Sequence, residues 1–150
     1  MALETNTKKL RIAILGGGPS GLFVYKRLIE SNKNNFEIDI FERKKILGAG
    51  MPYSKEGAND EHVTNVSDNE IPTLVTSIEE WVQTAPKDLS DRFNINPLKF
   101  NEYKVLPRLL FGHYLSGQFE LLQRKAEEAG IESRIHFESN VTDIIDNQNQ

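Results

Sequence analysis

The 150-residue chain contains no cysteine. That absence excludes disulfides, Cys-ligated zinc, iron–sulfur clusters and a redox-active dithiol from these residues, and it fits a reducing cytoplasm. A surplus of either charge is missing too: 18 Lys plus Arg stand against 22 Asp plus Glu, a net charge of −4. So mild an acidity gives no general attraction to nucleic acid or anionic membrane, and neither partner is expected. Basic residues cluster only at Lys8-Lys9 and Arg43-Lys44-Lys45. No apolar run approaches the ~20 residues that span a bilayer. The polar stretch Met1–Lys9 lacks the apolar centre of a signal peptide. A soluble, cytoplasmic protein is the expectation. His62, His113 and His136 are far apart in sequence and share no metal-ligand spacing, so no metal site is expected. No Ser/His/Asp or Cys/His arrangement is recognisable, and the adjacent Glu127-Glu128 point apart on a helix. The residues nominate no catalytic acid or base.

What is present is a regular front end. Leu10-Arg11-Ile12-Ala13-Ile14-Leu15 is a short, nearly continuous apolar run, which suits a strand covered on both faces. From Pro19 the period changes, and Leu22, Tyr25, Leu28 and Ile29 recur at the spacing of one helix face. Asparagines at 32, 34 and 35 disfavour continuation, so this helix should stop near Ser31-Asn32. Phe36, Ile38 and Ile40 alternate with Glu37 and Asp39, which predicts a second strand ending near Phe41-Glu42. Strand, glycine turn, helix and strand in this order make a parallel βαβ unit.

Beyond it, residues 43–76 read mostly as loop, with Gly48, Gly50, Pro52, Gly57 and Pro72. Ser77 and Glu80 have capping-box spacing and predict a short helix carrying Trp81 and ending before Pro86. Residues 86–107 hold three prolines and read as irregular. Phe111, Leu115, Phe119, Leu122, Ala126 and Ala129 then form a stripe at helical spacing with Gly130 placed as C-terminal cap. A helix from about Arg108 would be roughly 33 Å long. Ile131–Glu138 and Val141–Asp146 look like two further strands. The chain thus divides into a polar arm at 1–9, one domain at 10–146 with an irregular insert about 55–105, and a polar tail at 147–150. A chain of this size buries roughly 70% of its unfolded surface, enough for a core.

Gly16-Gly17-Gly18-Pro19-Ser20-Gly21 contains G-x-G-x-x-G between the first strand and helix. Gly16 allows a tight turn, Gly18 admits a pyrophosphate close to the backbone, and Gly21 lets helix and strand pack closely. The helix then directs its unpaired N–H groups and positive dipole end at the phosphates. Glu42 stands 21 residues after Gly21, at the end of the second strand, where a carboxylate accepts hydrogen bonds from the adenosine ribose. A tight turn followed by a surface glutamate is the competing explanation, and the register of all four features argues against it. Glu42 repels a 2′-phosphate, although Arg43 and Lys44 adjoin it. FAD and NAD both remain open on this fingerprint.

The wider motif set carries a resemblance. Gly16–Gly21, Glu42-Arg43 and Gly48-Ala49-Gly50-Met51-Pro52-Tyr53, followed by His62-Val63-Thr64-Asn65-Val66, Glu80-Trp81, Pro107-Arg108, Phe111–Leu115 and Val141–Ile144, resemble the opening of bacterial FAD/NAD(P)-binding flavoproteins. These are distantly related to flavin-dependent monooxygenases. The resemblance covers about residues 10–146. It implies an α/β, Rossmann-like fold with a parallel sheet and flanking helices, incomplete as it stands. It implies FAD held at its pyrophosphate by Gly16, Gly18, Pro19, Ser20 and Gly21, and at its ribose by Glu42, beside Arg43. Gly50, Met51 and Pro52 would approach the pyrophosphate or ribityl chain, Asn65 the flavin end, Arg108 a phosphate or the adenine side, and Val141 the adenine. Bland alternatives exist: Asn65 as a turn residue, Arg108 as a solvated helix start, and Gly112 and Gly117 as tolerated helix weaknesses. Trp81 reads better as a packing residue. The family passes a hydride from NAD(P)H to FAD, so the expected function is the FAD-binding part of an oxidoreductase of monooxygenase-like chemistry. No nicotinamide-binding segment is visible, so a missing C-terminal segment or a partner subunit would complete the cycle. The alternatives are a non-catalytic FAD- or NAD-binding module and a remnant acting only with a partner.

Overall fold

The computed structural model describes residues 9–31, 33–101 and 105–147. Apart from Lys9 and Asn147, the expected polar arm and tail lie outside the described residues, as does Asn32. In chain order the elements are β1 (Leu10–Leu15), α1 (Pro19–Ile29), β2 (Phe36–Phe41), β3 (Val63–Ser67), α2 (Ile78–Thr84), α3 (Lys87–Arg92), β4 (Val105–Pro107), α4 (Arg108–Glu128) and β5 (Glu132–His136). β1 pairs in parallel with β2, and β2 with β5, in the order β1-β2-β5. β3 and β4 form a separate antiparallel ribbon with a register shift between Val63 and Ser67. The fold is therefore mixed α/β, with a parallel three-stranded sheet and flanking helices.

Period-two patterning decides which sheet face is covered. Ile12, Ile14, Phe36, Ile38, Ile40 and Ile135 share one face and join the core formed with α1 and α4. There Tyr25 of α1 stacks on Phe119 of α4 at 5.2 Å, and its hydroxyl donates to Ser133 Oγ of β5 at 2.8 Å. The alternate residues face the other way and are polar in β2 and β5. Arg11 pairs with Glu37 and Asp39, both at 3.3 Å. Arg134 pairs with Glu37 and, at 3.1 Å, with Glu132. His136 donates from Nε2 to Asp39 Oδ1 at 2.8 Å and stacks on Phe41. This corrects the expectation for β1, which is covered on one face only: Arg11, Ala13 and Leu15, on its other face, are all exposed. β1 also lies at the edge of the sheet, with no strand beyond it among the described residues.

The loop and irregular assignments need amending. Residues 43–76 include β3 and a 3-10 turn at Asp68–Glu70, whose own capping box joins Ser67 and Glu70. Residues 86–107 include α3, a 3-10 turn at Pro97–Lys99 and β4. Pro86 and Pro107 each stand immediately before a helix, where a missing N–H costs nothing. Val141–Asp146, expected as a strand, is not one. It pairs with no strand among the described residues, Ile144 and Ile145 are exposed, and the Ile144 N–H turns to the Asp143 carboxylate instead.

The predicted caps are present. Ser77 Oγ accepts from Glu80 N–H, and Glu80 accepts from Ser77 N–H. At the end of α4, Ile131 N–H bonds Ala126 C=O at 2.8 Å and Gly130 N–H bonds Glu127 C=O at 3.0 Å, the Schellman pattern, with Gly130 at φ +69°. The apolar stripe accordingly ends at Ala126; Ala129 is exposed and Ile131 takes the buried place. Trp81 packs edge-on against Tyr114 at 5.7 Å, as a packing residue should. Gly112 is no tolerated weakness, because a Cβ there would run into the Tyr53 carbonyl oxygen.

Two features of the fold make measurable predictions. Gln118, fully buried on α4, accepts from the N–H groups of Val75 and Thr76 at 2.9 Å each and donates to Thr76 Oγ1. Gln118→Ala strips two backbone donors of their acceptor and should cost about 3 kcal/mol in urea denaturation. The second concerns Asp39. Its carboxyl is held below the ordinary range first by the His136 hydrogen bond, against the effect of burial, and then by Arg11 and Arg134. A depressed carboxyl stabilises fully above its unfolded value of 3.8 and loses that contribution as pH falls through the lower folded value. His136→Ala should therefore raise the Asp39 pKa in a carboxyl-carbon NMR titration and lessen the stability lost between about pH 5 and about pH 2.

Candidate functional site

The turn from β1 into α1 is made by Gly16–Gly18. Gly16 sits at φ +102°, and its N–H bonds the Phe41 carbonyl at 2.8 Å, which ties the turn to the end of β2. Gly21 is required one helical turn on, since any Cβ there would strike the Gly16 carbonyl oxygen. Gly18 occupies the N-cap of α1 with extended backbone, Pro19 follows it, no side chain caps the helix, and no acidic residue lies in its first turn. No side chain of the helix itself thus neutralises the positive end of its dipole.

Glu42 closes the arrangement from the end of β2. It is only 8% exposed. Its Oε2 accepts from Gly17 N–H and its Oε1 from Lys44 N–H, each at 2.8 Å. The residue's backbone bonds His136 C=O and Ser139 N–H, so the segment after β5 is held beside it. The chain then returns to the glycine turn: Gly48 N–H bonds Gly17 C=O at 2.7 Å, and Gly50 packs against Gly18 and Pro19. Ser116 of α4 supports this return by donating to the Leu47 carbonyl at 2.6 Å.

At the C-terminal ends of β1 and β2 opens a cavity of about 560 Å³, within the size range of small-ligand sites. Gly16, Glu42, Arg43 and Val141 border it together, with Leu15 and the 139–144 segment. Gly18, Pro19, Ser20 and Gly21 belong to the adjoining turn and helix start. Gly50 and Met51 border a second cavity, on the α4 side of the 43–50 segment, and Pro52 lies next to them. Asn65 and Arg108 meet elsewhere, at the β3–β4 ribbon: Arg108 donates from Nε to Val63 C=O at 2.8 Å and from Nη2 to Asn65 Oδ1 at 3.1 Å. Arg108 is therefore not a solvated helix start, and Asn65 is its partner in β3 rather than a turn residue.

Sequence reasoning singled out Val141 alone from the 139–144 segment, although Ser139 and Asn140 border the cavity as well. Nothing in their spacing ties them to Glu42. The link is the backbone bond from Ser139 to the Glu42 carbonyl, which only the parallel β2–β5 pairing brings about. Among the described residues, no group of three acidic or histidine side chains could hold a metal ion, and no helix is long and apolar enough to cross a membrane.

Because Glu42 accepts two backbone N–H groups, its removal should loosen the turn before any ligand is considered. Glu42→Ala is expected to cost about 2–4 kcal/mol, since bonds to a charged acceptor are the stronger ones. Amide exchange at Gly17 and Lys44 should speed up selectively, while that of α4 follows global stability alone.

Comparison with known proteins places this geometry in context. Among solved structures, THI4 of Thermovibrio ammonificans aligns with a TM-score of 0.37 and 23% identity, over 89% of this chain and 40% of THI4. An oxidoreductase from Methanosarcina mazei gives 0.38 and 13%, over 92% and 54% of the respective chains. DfoA, a cadaverine monooxygenase of Erwinia amylovora solved with FAD, gives 0.36 and 20%, over 95% and 29%. Likenesses this weak carry no argument about chemistry. The uncharacterized protein YdhS of Escherichia coli strain K12 is 30% identical over 134 residues, which are 89% of this chain and 25% of YdhS. The chain thus spans a quarter of that relative's length. A family model described as FAD-NAD(P)-binding matches residues 13–150, from the middle of β1 onward, and the chain belongs to the FAD-NAD(P)-binding family.

Proposed function

We infer that this chain binds FAD across the glycine turn, and forms the FAD-binding part of an NAD(P)H-using oxidoreductase. One observation carries the reading. Gly16, Glu42, Arg43 and Val141, nominated from separate stretches of sequence, border a single cavity beside an uncapped helix N-terminus. The residues fit the group on physical grounds. The pyrophosphate would lie against Gly18, Pro19, Ser20 and Gly21, where no side chain intrudes and the helix dipole favours negative charge. The adenosine would occupy the cavity, with its ribose hydroxyls on Glu42 and its adenine beside Val141. Arg43 would lie at the cavity rim. Gly50, Met51 and Pro52 follow the returning segment toward the ribityl side. Asn65 and Arg108, bonded to each other, would serve as one polar unit. When bound, FAD would supply two-electron transfer, and the protein would supply position and electrostatics.

The open sheet supports a further part of this reading. β1 leaves an edge unpaired and one sheet face uncovered among the described residues. A flavin site built on such a sheet is completed by additional polypeptide, whether a further segment or a partner subunit, and the nicotinamide site and substrate pocket belong there. Monooxygenase-like turnover is accordingly assigned to the completed protein and FAD binding to these residues.

A visible spectrum tests this directly. After incubation with FAD and removal of the excess, the protein should retain flavin bands near ~450 nm. Glu42→Arg, checked for folding by circular dichroism, should lose them. A chain that remains colourless would overturn FAD binding by these residues alone. Bleaching of the bound flavin by NADH or NADPH then distinguishes a catalytically competent unit from a binding module.

A further inference from the structure

We propose that the second cavity, between the 43–56 segment and α4, binds a small carboxylate with an apolar body. The cavity measures about 580 Å³, again within the range of small-ligand sites. Ile46, Met51 and Leu109 supply apolar walls, and Lys55, Arg92 and His113 come from three different segments to the same space. Glu42 and Arg43 border both cavities, and Gly50 and Met51, assigned above to the ribityl side of FAD, border this one, so the two spaces adjoin.

The charge balance selects an anion. The carboxylates bordering the cavity are Glu42 and Glu56, against the cationic side chains of Arg43, Lys44, Lys45, Lys55 and Arg92. Glu42 holds two backbone N–H groups, and Glu56 bridges Arg43 at 2.7 Å and Lys44 at 3.4 Å. Lys45, which also borders the cavity, is paired with Glu138 at 3.4 Å. Arg92 gives one guanidinium nitrogen to Asp60 at 2.6 Å, and its guanidinium lies over the Phe93 ring. Lys55 forms no ion pair among the described residues. The ring of His113 registers the result: partial burial first, and then the positive charges of Arg92 and Lys55, hold its pKa below the usual value. A cationic ligand would add to this unbalanced field, and a neutral one would leave it unchanged. An anion relieves it, while the apolar walls require that the anion carry hydrophobic surface.

His113 also gives the proposal a readout at the site itself. Octanoate, titrated into the full chain, should bind saturably and move the His113 ring pKa upward in an NMR titration, because a nearby negative charge favours the imidazolium. Octanol and octylammonium at the same concentrations should not bind. Lys55→Glu and Arg92→Glu, each at an exposed side chain and each checked by thermal unfolding, should weaken octanoate at least about tenfold. Equal binding of octanol or octylammonium, unchanged affinity in both variants, or no uptake below roughly 10 mM would each overturn the proposal. Octanoate taken up by a chain that retains no FAD would uphold it while sinking the FAD reading, so the two can fail separately.

Discussion

The Glu42 carboxylate is the interaction on which the rest of the site rests. A glycine turn is permissive by nature, since residues without a side chain lose more freedom on folding than any others. Something has to hold it, and Glu42 does so from a different strand, by accepting the Gly17 N–H. Its other oxygen holds the Lys44 N–H, so the same group also starts the chain on its return path toward α4. The choice of a carboxylate over an amide follows. Two ionised oxygens offer about four acceptor positions, so two can be given to the backbone and the others left facing the cavity. A glutamine would have one accepting oxygen for both tasks, and its NH₂ would confront a backbone donor.

α4 is the second organising element, and it works on two sides. One side supplies Leu115, Phe119 and Leu122 to the core, against α1 and the sheet. Leu109, Gly112, His113 and Ser116, at steps of three and four residues, form another side that meets the returning segment and its cavity. Gly112 permits that approach, and Ser116 secures it. At the helix start, Arg108 binds the β3–β4 ribbon; further along, Gln118 binds Val75 and Thr76. Segments with little regular structure of their own are thus made definite by one helix.

This explains which parts could be read from the residues and which could not. β1, α1 and β2 were legible because the apolar period changes from near-continuous to helical to alternating within a short span, and Glu42 falls at its required distance. The caps Ser77/Glu80 and Gly130 were legible because capping is local chemistry. β3 and β4 were not, because a ribbon of five and three residues joined across some forty positions owes its existence to pairing, which local pattern does not encode. Val141–Asp146 shows the converse: its alternation suits a strand, but no strand among the described residues pairs with it. The site divides the same way. Its glycines and its acid announce themselves, whereas Ser139 and Asn140 arrive through the β2–β5 register. The second stripe on α4 was present in the sequence at helical spacing, but its mixed character hid it beside the stronger apolar one.

The margin of β1, unpaired among the described residues, has a consequence for behaviour at high concentration. Six residues there present a row of peptide donors and acceptors to the outside, with Leu10 and Leu15 exposed at its ends. Such a row is a template on which extended chain can register, whether from a partner or from another copy of the same molecule. Arg11 is the only charged residue in the strand, and both Glu37 and Asp39 already draw on its guanidinium. Little electrostatic repulsion therefore guards this margin. Where nothing else covers β1, colloidal stability depends on how seldom two such margins meet, and Leu10 and Leu15 are the positions at which an added lysine would most directly guard it.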